Sequence, residues 1–172
     1  MQHHGSRWHG ILQTVVMSFP ASDNNREHTA KGGGLKGRQV ELFVLVAADK
    51  VKDHQLIKKA LKKLAVNHLV SSVFNNEQLL NILQNKEYYT RAIPLVPQLL
   101  FLDVRLPVLS GIGALREIRE QADVSEMLVC MIGDPGNQAK KEAENLGATG
   151  FLPRPLDEDQ VLRVATTVLK TH

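Results

Sequence analysis

Cysteine is almost missing from this chain: Cys130 is the only one in 172 residues. No internal disulfide is possible, and the residue sits inside the apolar run 127–132. It therefore reads as a small buried hydrophobe in a reducing compartment. Long hydrophobic runs are also lacking. Nothing approaches the roughly 18 apolar residues that a membrane span needs. The nearest thing to a signal peptide, residues 11–17 behind Arg7, is short, is interrupted by Gln13 and Thr14, and has no clean cleavage site after it. The reading is a cytoplasmic protein. An excess of one charge is missing from most of the chain as well. Residues 1–38 hold five of the 21 Lys/Arg and two of the 18 Asp/Glu, which leaves sixteen of each in 39–172. The basic pI of about 9.1 thus belongs to the leader, and the neutral body offers no electrostatic footprint for nucleic acid.

What is present is ordinary globular material, 43% hydrophobic and 23% charged, enough for one well-buried domain and an appendage. The leader contains His3, His4, His9 and His28, the only tryptophan (Trp8), and the run Lys31-Gly-Gly-Gly-Leu-Lys-Gly37. The first three histidines match no standard metal spacing. The glycines lack the order of a phosphate loop and follow no strand, so residues 1–38 read as a flexible basic extension. Met17 offers an alternative start.

From residue 39 the pattern becomes regular. Strands are predicted over 40–47, 68–73, 99–102, 127–132 and 149–152. Helices are predicted over 52–65, 76–84, 112–121, 138–146 and 158–170, with a loop of about ten residues over 86–96. The first helix carries Leu56, Ile57, Ala60, Leu61 and Leu64 on one stripe, and Lys58, Lys59, Lys62 and Lys63 on a solvated face. Leu79, Leu80 and Leu83 point inward from the second. Gly147 is the expected C-terminal cap of the fourth. The last is capped by Asp157 with Gln160 three residues on. Strict β-α alternation with short apolar strands argues for a parallel sheet with helices on both faces.

In such sheets the chemistry lies beyond the carboxyl ends of the strands. The stretch Val96–Gly111, V-P-Q-L-L-F-L-D-V-R-L-P-V-L-S-G, runs four apolar residues into Asp103. Taken alone, that aspartate reads equally well as a residue that ends a strand and caps the next turn. The other strand ends supply Ala47-Ala48-Asp49-Lys50, Ile132-Gly133-Asp134 and Pro153-Arg154-Pro155. Asp49 and Asp103 meet with Arg154 opposite, a small acidic pocket suited to a divalent ion and a phosphoryl group. Asp134 reads as a loop cap.

These residues resemble the receiver domain of bacterial two-component response regulators, over roughly 40–169. V-L-V-A-A-D-K-V-K-D-H-Q-L-I-K-K-A-L looks like that family's first strand and helix. L-L-F-L-D-V-R-L-P-V-L-S-G is similar to its phosphoacceptor segment, and A-E-N-L-G-A-T-G-F-L-P-R-P-L to its ending. The 86–96 loop is reminiscent of stand-alone receivers associated with phytochrome kinases. The resemblance implies an α/β, flavodoxin-like (βα)5 doubly wound parallel sheet of strand order 2-1-3-4-5 over residues 39–172. It implies Asp103 as phosphoacceptor, Mg²⁺ held by Asp49, Asp103 and the Arg105 backbone carbonyl, and Arg154 paired with the phosphoryl group through a cis Arg154–Pro155 bond. Phe151 stands at the family's aromatic switch position.

Three positions depart from the pattern. The family's acidic pair is Ala48-Asp49 here, its lysine is Arg154, and its switch hydroxyl is Ile132. Ile132 cannot donate to a phosphoryl oxygen. That forfeits a charge-assisted bond of about 1.5–3 kcal/mol, or tenfold and more in an on/off balance. Two functions are implied by the resemblance. One is a single-domain, non-enzymatic phosphorelay receiver that takes its phosphoryl from a histidine kinase or phosphotransfer protein. It would pass the signal to a downstream protein, or to a second copy of itself, through the fourth helix, fifth strand and fifth helix. The other is a non-phosphorylated pseudo-receiver, in which Arg154 or Lys50 forms a standing ion pair with Asp103. A flavodoxin-like nucleotide- or flavin-binding protein would need a phosphate loop after the first strand, which Ala47-Ala48-Asp49-Lys50 does not provide.

Overall fold

Residues 42–47 (Leu-Phe-Val-Leu-Val-Ala) are all fully buried, as expected of a strand covered on both sides. Their side chains alternate between two apolar layers. Phe43, Leu45 and Ala47 enter one cluster, and Leu42, Val44 and Val46 the other. The computed structural model describes residues 16–18, 40–84, 96–121 and 124–171. In chain order the elements are β1 (Val16–Ser18), β2 (Leu42–Ala47), α1 (Val51–Leu61), β3 (His68–Val73), α2 (Asn76–Gln84), β4 (Leu99–Asp103), α3 (Gly111–Glu120), β5 (Leu128–Ile132), α4 (Asn137–Asn145), β6 (Gly150–Leu152) and α5 (Glu158–Thr171).

One sheet runs in the order β1-β3-β2-β4-β5-β6. Pairing is parallel from β3 through β6. Counted from β2, these five strands give the order 2-1-3-4-5 that the resemblance implied. The layer holding Phe43 and Leu45 also takes Leu79 and Leu83 of α2, Leu115 and Ile118 of α3 and Ala143 of α4. The opposite layer takes Ile57 and Leu61 of α1 and Val161, Ala165 and Val168 of α5. Burying one Leu or Phe contributes about 1.5–3 kcal/mol. Losing either layer would therefore exceed a typical net stability of about 5–15 kcal/mol.

β1 was not expected. It pairs antiparallel with the edge strand β3, Val16 opposite Ser72 and Ser18 opposite Val70. Three residues are too few to show a period of two, so a sequence pattern cannot announce such a strand. The histidines 3, 4, 9 and 28, Trp8, the glycine run 31–37 and the loop to residue 95 lie outside the described residues.

Local signals mostly hold. Ser110 Oγ accepts the Gly113 N–H at 3.2 Å to start α3. Gly147, at φ +76°, ends α4, and the Ala148 N–H returns to the Ala143 carbonyl at 2.9 Å. Asp157 Oδ1 caps α5 by accepting N–H bonds from Asp159 and Gln160, at 2.7 and 3.0 Å. The reciprocal half of that capping box is not made, because Gln160 Oε1 is buried without a partner. The first helix stops at Leu61, earlier than expected, where tighter turns take over (Lys63 N–H to the Ala60 carbonyl, Leu64 N–H to that of Leu61). In α2 it is Ile82 that is buried with Leu79 and Leu83, while Leu80 lies half-buried at the flank.

Candidate functional site

The parallel strands end together, and their carboxyl ends enclose a cavity of about 470 Å³. Asp49 and Lys50 line it from beyond β2, Asp103 from the last residue of β4, Val104 and Arg105 from the loop that follows. Gly133 and Asp134 line it from beyond β5, and Pro153 and Arg154 from beyond β6. Every site residue read from the sequence falls here except Ile132 and Phe151.

Asp103 is the centre of the arrangement. It is 1% exposed, and a carboxylate so buried is tolerated only with charge and hydrogen-bond partners. Its Oδ1 accepts the Arg105 N–H at 2.9 Å. Its Oδ2 accepts Arg154 Nη2 at 2.6 Å, with Nη1 at 3.5 Å from Oδ1. The Arg154–Pro155 bond is cis. The ion-pair partner of Asp103 is therefore Arg154, while Lys50 is an exposed residue of the cavity rim, beside exposed Asp49.

The loop after β4 is folded tightly over this carboxylate. Val104 N–H bonds the Ile132 carbonyl, Leu106 N–H the Asp103 carbonyl, and Gly111 N–H the Val104 carbonyl. A Cβ at Gly111 would run into the Asp103 carbonyl oxygen, so only glycine fits there. Val108 is 94% exposed at φ +80°, a conformation that disfavours a β-branched side chain. Asp134 caps its own loop, its Oδ1 accepting the Gly136 N–H at 2.9 Å.

Two residues at the site were not singled out in the sequence. Asp53, in the first turn of α1, is 8% exposed, and its Oδ2 accepts Arg154 Nη2 at 2.6 Å. His54, 3% exposed, lies 2.8 Å through Nε2 from the Ala48 carbonyl and tilts against Phe74 with ring centroids 4.5 Å apart. A signal for both existed. They precede Ile57 by four and three residues on the inward stripe of α1, where a charge or an imidazole is out of place unless it is paired. Burial opposes the charge of Arg154, yet the bonds to Asp103 and Asp53 outweigh it and raise its pKa above the usual range. Burial pushes the His54 pKa below its ordinary 6.5, against a smaller opposing effect of the Ala48 bond.

Ile132 is fully buried in the apolar layer against α1 and α5, directly opposite Asp103 in the β4–β5 register. Phe151 is half-buried, packs on the other layer, and carries Lys140 Nζ 5.5 Å from its ring centroid.

The oxygen donors around the cavity are hard ones. Two carboxylates and a neighbouring backbone carbonyl, completed by water, suit Mg²⁺. Among the described residues no group of three or more His, Cys, Asp or Glu is arranged to hold a metal. Asp49, Asp103 and Arg105, whose oxygens the family resemblance implies as Mg²⁺ ligands, all line this cavity, and an ion held there would screen the negative charge of an incoming phosphoryl group.

Comparison with known proteins identifies the family. A sequence profile of the response regulator receiver domain matches residues 44–166. A protein-glutamate methylesterase/protein-glutamine glutaminase of Colwellia psychrerythraea is 30% identical over 93 residues, 52% of this chain but 24% of that protein's own length. Among solved structures, the Mn²⁺-bound response regulator Rcp1 superimposes with a TM-score of 0.66 at 20% identity, covering 76% of this chain and 96% of its own. The receiver domain of NtrX from Brucella abortus gives 0.58 at 29% identity, covering 75% and 99%. With the strand order, the carboxylate at the end of β4 and the profile in agreement, the chain belongs to the response regulator receiver family of two-component signalling.

Proposed function

We propose that this receiver relays its signal by protein–protein contact, with Asp103 as a phosphoacceptor whose site is partly neutralised from within. The observation that carries the reading is the carboxylate itself: buried at the end of β4, yet lining the same cavity as Asp49 and Arg154. An Asp103 oxygen attacks the phosphorus of a phosphohistidine on a histidine kinase or phosphotransfer protein. The O–P bond forms as the P–N bond breaks, and the histidine nitrogen leaves with the bonding pair, a neutral imidazole resulting because the ring's other nitrogen is protonated in the phosphohistidine that reacts. The carboxylate's single charge becomes about two, and Arg154 pairs with the phosphoryl oxygens.

The readout of this event is weak. Ala48 leaves one carboxylate fewer for Mg²⁺, and Ile132 offers no donor. Lys140 stabilises Phe151 by lying over its ring. Downstream contact, or pairing with a second copy, uses the face of α4, β6 and α5. Neither nucleic acid nor a membrane is a partner. Residues 39–172 form the signalling domain, and 1–38 an extension that contributes β1.

A second reading is favoured by the ion pair in place between Arg154 and Asp103. The same fold would then serve as a pseudo-receiver, a docking module that is never phosphorylated.

Incubation with Mg²⁺ and acetyl phosphate, followed by intact mass, separates the two. The acceptor reading expects one phosphoryl group on the wild type and none on Asp103→Asn, with a greater extent after Ala48→Asp and Ile132→Thr. No mass gain and no beryllofluoride binding would decide for the docking module.

A further inference from the structure

Arg154 makes an uneven set of bonds. A guanidinium has five N–H donors in a rigid fork, and its strong pairing with a carboxylate is two parallel bonds. Here Nη2 donates at 2.6 Å to Asp103 and at 2.6 Å to Asp53. Nη1 is left at 3.5 Å from Asp103, and buried Nε has no partner. One nitrogen serves two carboxylates while the rest of the fork is under-used. The pull comes from α1. Asp53 lies behind the cavity, whose lining includes Asp103 and Arg154 but not Asp53.

We infer that Asp53 is a positioning residue: it draws Arg154 part-way off Asp103 and so limits how readily the site accepts a phosphoryl group. The inference rests on the acceptor reading above. When Asp103 gains a phosphoryl group, Arg154 is better used with both terminal nitrogens on the phosphoryl oxygens. Turning there means leaving Asp53, a buried carboxylate, without its counter-charge. Asp53 thus opposes the modified state through the arginine it holds. Asparagine has the same shape and can still accept from Nη2, but it leaves no buried charge behind when the arginine moves.

The test compares wild type, Asp53→Asn, Asp53→Ala and Asp103→Asn. Label from acetyl phosphate and Mg²⁺ is followed by intact mass, and the Arg154 side-chain N–H signals are followed by ¹⁵N NMR in the unlabelled proteins. Both Asp53 variants should take label about tenfold faster than wild type, the equivalent of one charge-assisted hydrogen bond, and their Arg154 signals should shift and exchange faster. Label on the Asp53 variants alone supports the inference equally. Equal rates in wild type and variants overturn it while leaving Asp103 as the acceptor. Faster labelling with unmoved Arg154 signals also overturns it, since Asp53 would then act by its charge alone. No label on any of the proteins overturns the acceptor reading and leaves Asp53 nothing to govern.

Discussion

His54 is the side chain expected to make this fold sensitive to acid. The 2.8 Å contact of Nε2 with the Ala48 carbonyl requires that nitrogen to carry the proton, because a carbonyl only accepts. Nδ1 is buried with no partner, so a second proton would bring a charge into the interior with no acceptor at that nitrogen, a cost that Asp53 and Asp49 offset only in part. The folded state therefore disfavours the imidazolium, in line with a pKa below 6.5 set first by burial. The sign follows from linkage. A group whose pKa is depressed by folding contributes stability that is complete above its unfolded value and is lost as pH falls. Stability should be level above pH 6.5 and decline below it. His54→Gln, which can keep a donor toward Ala48 without titrating, should flatten that decline. Urea unfolding of both proteins between pH 7.5 and pH 5 (bracketing the usual titration range of histidine, about 5–8) measures it, and parallel pH profiles would rule His54 out as the cause.

Between elements, α3 and α4 share an apolar layer and the Arg116–Glu142 ion pair, and one further side chain ties their ends together. Arg119, half-buried near the end of α3, donates to the Leu146 and Gly147 carbonyls at 2.7 and 3.0 Å and to the Ser125 and Met127 carbonyls at 2.6 and 2.8 Å. The C-terminal carbonyls of a helix have no partners within it, and here a guanidinium supplies them. Arg119→Ala should lower stability by about 1.5–3 kcal/mol, the scale of a hydrogen bond from a charged donor. Hydrogen exchange should rise first at the end of α4. A loss under about 0.5 kcal/mol, the level of an ordinary surface change, would contradict this role. Nothing in the pattern around residue 119 marks it, because its four acceptors are backbone groups that no sequence motif names. Gly147 and Asp157 were legible for the opposite reason: caps are local, and their chemistry lies within a few residues of the element they end. Asp103, Asp49 and Arg154 were legible as strand ends, since alternation of β and α brings those ends together. Asp53 required knowing which way α1 turns its first residues.

At the scale of the whole molecule, the five parallel strands follow from repeated apolar runs, and their order from the family likeness. What neither supplied is the sixth strand. β1 is three residues long, yet it lies on β3, the edge that would otherwise offer its backbone groups to any extended chain. A protein lacking residues 1–18 should keep the parallel sheet and lose this cover. Its sedimentation and light scattering should report self-association that grows with concentration, and a truncated protein that stays monomeric would show β1 to be dispensable. For the intact chain the consequence concerns symmetry. With that edge now a strand of only three residues, a second copy finds little backbone there to pair with, and a twofold pairing would more readily use the opposite end, where α4, β6 and α5 lie.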